Sequence, residues 1–127
     1  MASGGKGEPE QGGERVVNHY SFGRIVVDGE EYSADVILLP DEVKGNWWRA
    51  DGHRLQAQDL DDVWAAAPDV LIVGTGASGM MSVDHSTRER LEEEGIELVL
   101  RRTREACEEY NRLARRKRVA AALHLTC

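Results

Sequence analysis

Val70-Leu71-Ile72-Val73-Gly74-Thr75-Gly76-Ala77-Ser78-Gly79 is the stretch on which the fold turns. Four consecutive apolar residues, three of them β-branched, describe a strand covered on both faces, as in the parallel part of a sheet. The glycine-rich segment behind it is a strand exit. Downstream, Ser86 and Glu89 have capping-box spacing, which predicts a helix starting at Thr87 and ending at Gly95 as its C′ residue. Ile96 to Leu100 is the next apolar run. Thr103 is the expected cap of a longer helix with Glu105 in its first turn. On that helix Ala106, Cys107, Tyr110, Leu113 and Ala114 share one face. Val119 to Leu125 is the last strand. Strand, helix, strand, helix, strand means two crossovers, which are right-handed and make the strands parallel.

Upstream, Tyr20 to Val27 and Tyr32 to Leu39 are rich in β-branched and aromatic residues and flank Asp28-Gly29. Asp-Gly between two such runs marks a hairpin, because its tight turn needs positive φ at both central positions. Pro40 closes the second arm. Pro40 to Gln58 is irregular and carries Trp47, Trp48 and His53. Asp59 to Ala67 reads as a helix, with Asp61 and Asp62 in its first turn, Leu60, Val63, Trp64 and Ala67 on one face, and Pro68 as its stop. Residues 1–15 hold five glycines, Pro9 and several charges without apolar periodicity, and are expected to form a flexible tail. Residues 16–127 are expected to form a single α/β domain. Its mixed sheet combines an N-terminal antiparallel hairpin with a C-terminal parallel βαβαβ half, covered by helices.

The whole chain of 127 residues has a net charge of −7 and 41% hydrophobic residues. This balance is globular and disfavours wholesale nucleic-acid binding. No run approaches the ~20 apolar residues of a spanning helix, so no membrane partner is expected. Two cysteines, Cys107 and Cys127, cannot frame a disulfide scaffold. With no export signal at the N-terminus, a cytoplasmic location and free thiols are the expectation.

Gly74-Thr75-Gly76-Ala77-Ser78-Gly79 matches the dinucleotide fingerprint G-x-G-x-x-G, and Arg101 and Arg102 at the next strand end would suit a phosphate. The context does not: a helix should open inside the motif, but Met80 to Val83 reads as extended. The preferred reading is a strand-exit corner whose glycines supply unusual φ values. Loops at the carboxyl ends of parallel strands still form the usual crevice of open sheets. Gly74, Thr75, Gly76, Arg102 and Thr103 are therefore the candidate lining of a small-anion or nucleotide pocket. His124 and Cys127 stand three apart, like half a metal pair, but a second pair is missing and residues three apart on a strand face opposite ways. Neither a metal nor an organic cofactor is expected. No nucleophile, base and orienting group emerge together, so no catalytic residue is assigned. Residues 101–118 carry eight basic groups against three acidic ones. A cationic end to the long helix is the preferred explanation, ahead of a patch for an anionic ligand or RNA. Trp47-Trp48-Arg49 lies in a glycine-flanked loop, and Trp and Arg are enriched at binding hot spots. Trp48, Arg49 and His53 are accordingly the candidate partner-binding residues.

Tyr20-Ser21-Phe22-Gly23-Arg24-Ile25, Asp35, Pro40, Trp48-Arg49, Gly52-His53 and Ile72-Val73-Gly74-Thr75-Gly76 occur in order. Thr103-Arg104-Glu105-Ala106, Tyr110-Asn111 and His124-Leu125-Thr126-Cys127 complete the set. Together, over residues 16 to 127, they resemble the small-domain family of mitochondrial respiratory complex I assembly factor three and the adipogenesis-associated domain protein. The resemblance implies a three-layer β+β/α single domain, no known enzyme activity and no catalytic residue to carry over. It also implies action by binding partner proteins, as the mitochondrial member acts, and a glycine turn that belongs to the fold's own strand exit. The function expected is a non-enzymatic binding or assembly module, with one or more protein partners and room for a homodimer. The alternative is a small-anion or nucleotide binder, or an enzyme, using Gly74 to Gly79.

Overall fold

The computed structural model describes residues 15–127. The tail expected over residues 1–15 lies outside them but for Arg15, whose guanidinium donates to the carbonyls of Leu39 and Pro40. In chain order the elements are β1 (Val17–Ser21), β2 (Arg24–Val27), β3 (Glu30–Tyr32), β4 (Val36–Leu38), β5 (Val43–Lys44) and β6 (Arg54–Leu55). A 3-10 turn (Ala57–Leu60) and α1 (Asp61–Ala66) precede β7 (Val70–Gly74) and β8 (Ser82–Val83). The rest is α2 (His85–Glu93), β9 (Glu97–Arg101), α3 (Thr103–Leu113) and β10 (Val119–Leu123).

Five strands form a mixed sheet in the order β9-β7-β10-β4-β5. β7 pairs parallel with β9 on one side (Val70↔Glu97) and with β10 on the other (Val70↔Val119). The two crossovers read from the sequence are therefore α2 and α3. β4 pairs antiparallel with β10, and β5 with β4.

The period-2 alternation of strands sorts the core into two halves. Val70, Ile72, Ala121 and Leu123 face α3 and the small sheet, where they meet Ala106, Cys107 and Tyr110. Leu71, Val73, Ala120 and Ala122 face the other way, onto Leu55, Leu60, Val63 and Leu91. The molecule thus has three layers: the small sheet with α3, the five-stranded sheet, and α1 with α2. This is the α/β single-domain fold read from the sequence. All five residues of β7 are buried, as a strand covered on both faces must be.

The N-terminal hairpin is partly as read. Asp28 (φ 51) and Gly29 (φ 81) form the tight turn, with Val27 opposite Glu30. Its arms are not single strands, however. The first folds back at Phe22-Gly23, where the Gly23 amide donates to the Leu125 carbonyl, and makes β1 and β2. The second breaks at Ser33–Asp35: β3 completes a separate three-stranded antiparallel sheet, and β4 crosses into the large one. The arm is divided between the two sheets, yet Tyr32 of β3 and Val36 and Leu38 of β4 pack into the same apolar core between them.

Helix starts differ from expectation. α2 begins at His85 behind Asp84, not at Thr87, because Thr87 is fully buried and its hydroxyl donates to the Leu55 carbonyl. Gly95 does end it, with the Ile96 amide reaching Leu91 and the Gly95 amide reaching Glu92, the paired bonds of a Schellman end. Arg102, not Thr103, is the residue before α3. The helix expected over Asp59 to Ala67 starts as a 3-10 turn at Ala57 and ends at Ala66. The last strand stops at Leu123, two residues short of its expected end.

Candidate functional site

Past Leu123 the chain leaves the sheet at the carboxyl ends of β7 and β10. The His124 amide still donates to the Gly74 carbonyl, but residues 124–127 then run between the glycine loop and the Tyr20–Gly23 turn. The Tyr20 hydroxyl donates to the Leu125 carbonyl at 2.9 Å. The Ala77 amide donates to the Thr126 carbonyl, and the Met80 amide to the Cys127 carbonyl. Gly76 stands at φ +111, and a Cβ there would lie 2.5 Å from the Thr126 carbonyl oxygen. Only glycine fits this approach.

Asp35 is the centre of this region. It sits in the link between β3 and β4, and its carboxylate faces the segment after β10. Its Oδ1 accepts from the Leu125 amide at 2.8 Å. Its Oδ2 accepts from Arg49 Nη1 and from His124 Nδ1, both at 2.8 Å. Burial pushes the Asp35 carboxyl up, but the hydrogen bonds from His124, Leu125 and Arg49 outweigh it and hold the group below its ordinary value. Arg49 Nη2 donates to the Gly52 carbonyl at 2.8 Å, and its guanidinium lies 4.7 Å over the Trp47 ring. Since a carboxylate only accepts, His124 Nδ1 carries the proton of that bond. His124 Nε2 is buried without a partner.

One ligand atom each from His53, His124 and Cys127 lies within 4.8 Å of the others; His53 and Cys127 are exposed and His124 is buried. The His53 ring stands edge-on to that of His124, with centroids 6.4 Å apart. The spacing argument against His124 and Cys127 fails here. Alternation holds only along a strand, and this strand has ended at Leu123.

The candidate partner-binding trio is separated. Trp48 is 79% exposed and His53 is exposed, whereas Arg49 is only 8% exposed and is held inward by the Asp35 carboxylate and the Gly52 carbonyl. Arg49 is not on the contact surface the sequence suggested, because its charge is needed beneath it. Trp47 and Trp48 line a groove with Ala50, Gln58, Asp59, Asp61 and Asp62. Of the candidate pocket lining, Gly74, Thr75, Gly76 and Thr103 are buried and Arg102 is exposed. The Thr103 hydroxyl donates to the His124 carbonyl at 2.6 Å and accepts from the Gly76 amide at 2.9 Å, tying β10, α3 and the loop together. The amides of Thr75, Ala77 and Gly79 are also taken by protein carbonyls. The glycines turn a corner over the chain's own last residues, and no helix opens inside the motif. Asp35 escaped a reading of the residues alone, since nothing local sets it apart from other loop aspartates; Cys127 was legible only as half of the His124–Cys127 pair.

Cys107, on α3, is buried and its thiol is pushed up to about 12 by that burial. Among the described residues, no helix is long and apolar enough to cross a membrane.

A small three-layer α/β domain with an ion-paired network at the carboxyl ends of its central strands is the class of protein these features define. The chain belongs to the family described as "Protein of unknown function (DUF498/DUF598)", whose model matches residues 17–124. Solved structures share the fold. A conserved hypothetical protein of Pyrococcus horikoshii is 27% identical, over 87% of this chain and 98% of its own, with a TM-score of 0.76. A protein of Rhodopseudomonas palustris is 31% identical, over 86% of this chain and 82% of its own, at 0.70. A protein of Bordetella pertussis, described as a Mth938-like domain, is similar in fold, with 21% identity, coverages of 94% and 90%, and a TM-score of 0.65.

Proposed function

We propose that this protein is a non-enzymatic binding module that docks a partner protein in the groove beside Trp48. The observation that carries this reading is a tryptophan left 79% exposed at the edge of a groove that also presents Asp61 and Asp62. An exposed indole beside carboxylates suits a basic segment, whose Lys or Arg stems lie on the ring while their heads meet the acids. Lys44 already sits 3.3 Å from Asp62, an internal precedent for a cation at this place. The resemblance to the family of complex I assembly factor three points to the same kind of role, contact with partner proteins. No catalytic residue is assigned.

The test is a titration of the full chain with an Arg/Lys-rich peptide and with a Glu-rich control, followed by tryptophan fluorescence. Saturable binding of the basic peptide alone, weakened at least tenfold in Trp48→Ala and by added salt, supports the reading. Equal response to both peptides, or binding unchanged in Trp48→Ala, overturns it. Size-exclusion chromatography of the free chain reads the other candidate occupant, a second copy.

A further inference from the structure

His53, His124 and Cys127 come from two distant parts of the chain, the loop before β6 and the segment after β10, yet they offer two imidazole nitrogens and a thiol within 4.8 Å of one another. Proximity alone would not distinguish a binding site from a chance cluster. Two further features do. His124 Nε2 is buried and unpartnered, on a residue only 6% exposed. Its other nitrogen, Nδ1, is held by the Asp35 carboxylate at 2.8 Å. That bond fixes the ring's orientation and places the proton on Nδ1, so the lone pair of neutral imidazole falls on Nε2. A carboxylate that orients a histidine in this way is the usual outer partner of a metal-bound imidazole. Left empty, the arrangement carries the cost of a buried nitrogen with nothing to bond.

We propose that His53, His124 through Nε2, and Cys127 through its thiolate bind one Zn2+ ion, with the fourth position left to solvent. Two nitrogens and one sulfur suit zinc in charge and softness. Tetrahedral zinc requires ligand atoms about 3.3–3.6 Å apart. The buried His124 is fixed by Asp35, and the two exposed ligands close the remaining gap by rotating their side chains. Binding releases the Cys127 thiol proton to solvent, so affinity falls on acidification. The Thr126 and Cys127 carbonyls, anchored by Ala77 and Met80, keep the thiol in reach. The glycine loop thereby gains a role, since Gly76 permits the approach of the segment that carries the third ligand.

The experiment uses the full chain, reduced with a phosphine, stripped with chelator and desalted under nitrogen. Zn2+ is titrated by calorimetry and Co2+ by absorbance. The expected result is one Zn2+ per chain with submicromolar affinity. Co2+ should give a sulfur-to-metal charge-transfer band that is present in His53→Ala and absent in Cys127→Ser. Each of those variants weakens Zn2+ binding at least tenfold; both residues are exposed, so the apo fold survives the substitutions. His124→Ala is avoided because it also dismantles the Asp35 network. Absence of saturable Zn2+ binding, or one-equivalent binding that survives both variants, overturns the proposal. Trp48→Ala leaves Zn2+ affinity unchanged, which separates this site from the peptide groove.

Discussion

The faces of the central strands and the polar network at their carboxyl ends are buried to similar depth, but they are held in different ways. Ile72 and Leu38 are fully buried among apolar neighbours contributed by several elements. Each contact there is weak and non-directional, so losing one methyl removes a small share of the total. Arg49 and His124 are almost as buried, but both depend on one carboxylate, Asp35. Taking away that single group leaves a cation without its counter-ion in a low-dielectric place. The apolar region therefore degrades gradually, while the polar region fails at one residue.

The largest effect expected is at the joint between the two. In Gly76→Ala the new methyl would overlap the Thr126 carbonyl and the backbone would be held at φ +111. A circular-dichroism melt should show loss of cooperative unfolding or a large drop in Tm; a drop of less than about 2 °C, small against the several degrees that 1 kcal/mol moves a domain of this size, would mean that residues 124–127 are not seated as described. Next comes Asp35→Ala, which should cost about 3–5 kcal/mol by stranding Arg49. Chemical denaturation measures it, and a loss under about 1 kcal/mol would show that the network does not hold this end together. In the apolar region Ile72→Val should cost only about 0.5–1.5 kcal/mol. If it costs as much as Asp35→Ala, the contrast drawn above is broken.

Acid sharpens the same contrast. The Asp35 carboxyl is held below its ordinary value in the fold, so its contribution is fully present above about pH 4 and is lost as pH falls through the lower, folded value. The wild type should therefore lose more stability between about pH 5 and about pH 2 than Asp35→Asn does. Equal slopes would show that Asp35 carries no such linkage.

The two cysteines repeat the comparison at small scale. Cys107 belongs to the apolar face of α3, with its thiol pushed up to about 12 by burial, whereas Cys127 is exposed at the polar end. At about pH 8 iodoacetamide should modify Cys127 in the native protein and reach Cys107 only after unfolding, as read by mass spectrometry. Modification of Cys107 at a similar rate would mean that α3 opens readily. The smallest effect on stability is expected for Trp48→Ala, within about 0.5 kcal/mol, because its side chain leaves little behind when truncated.

Local patterns carried far in this chain. The amphipathic stripe over Ala106, Cys107 and Tyr110, the apolar run of Val70 to Val73, the turn at Asp28-Gly29 and the helix end at Gly95 each depend on residues a few positions apart. All appear where short-range rules put them. Two crossovers then sufficed to make β7, β9 and β10 parallel. Local patterns failed where a side chain had a distant use. Thr103 and Ser86 look alike as caps, yet Thr103 binds the His124 carbonyl and the real start of α2 lies ahead of Ser86 because Thr87 is drawn inward to Leu55. Nothing within a few residues of Ser33–Asp35 announces that the chain changes sheets there. Asp35 and His124 stand 89 positions apart, and Arg49 and His124 are 75 apart. Propensity and periodicity act over single turns and strands, and so they determined the elements of this protein. The meeting of Asp35, Arg49 and His124, and with it the closeness of His53 to Cys127, waited for the sheet order, because only the antiparallel pairing of β4 with β10 brings those segments together.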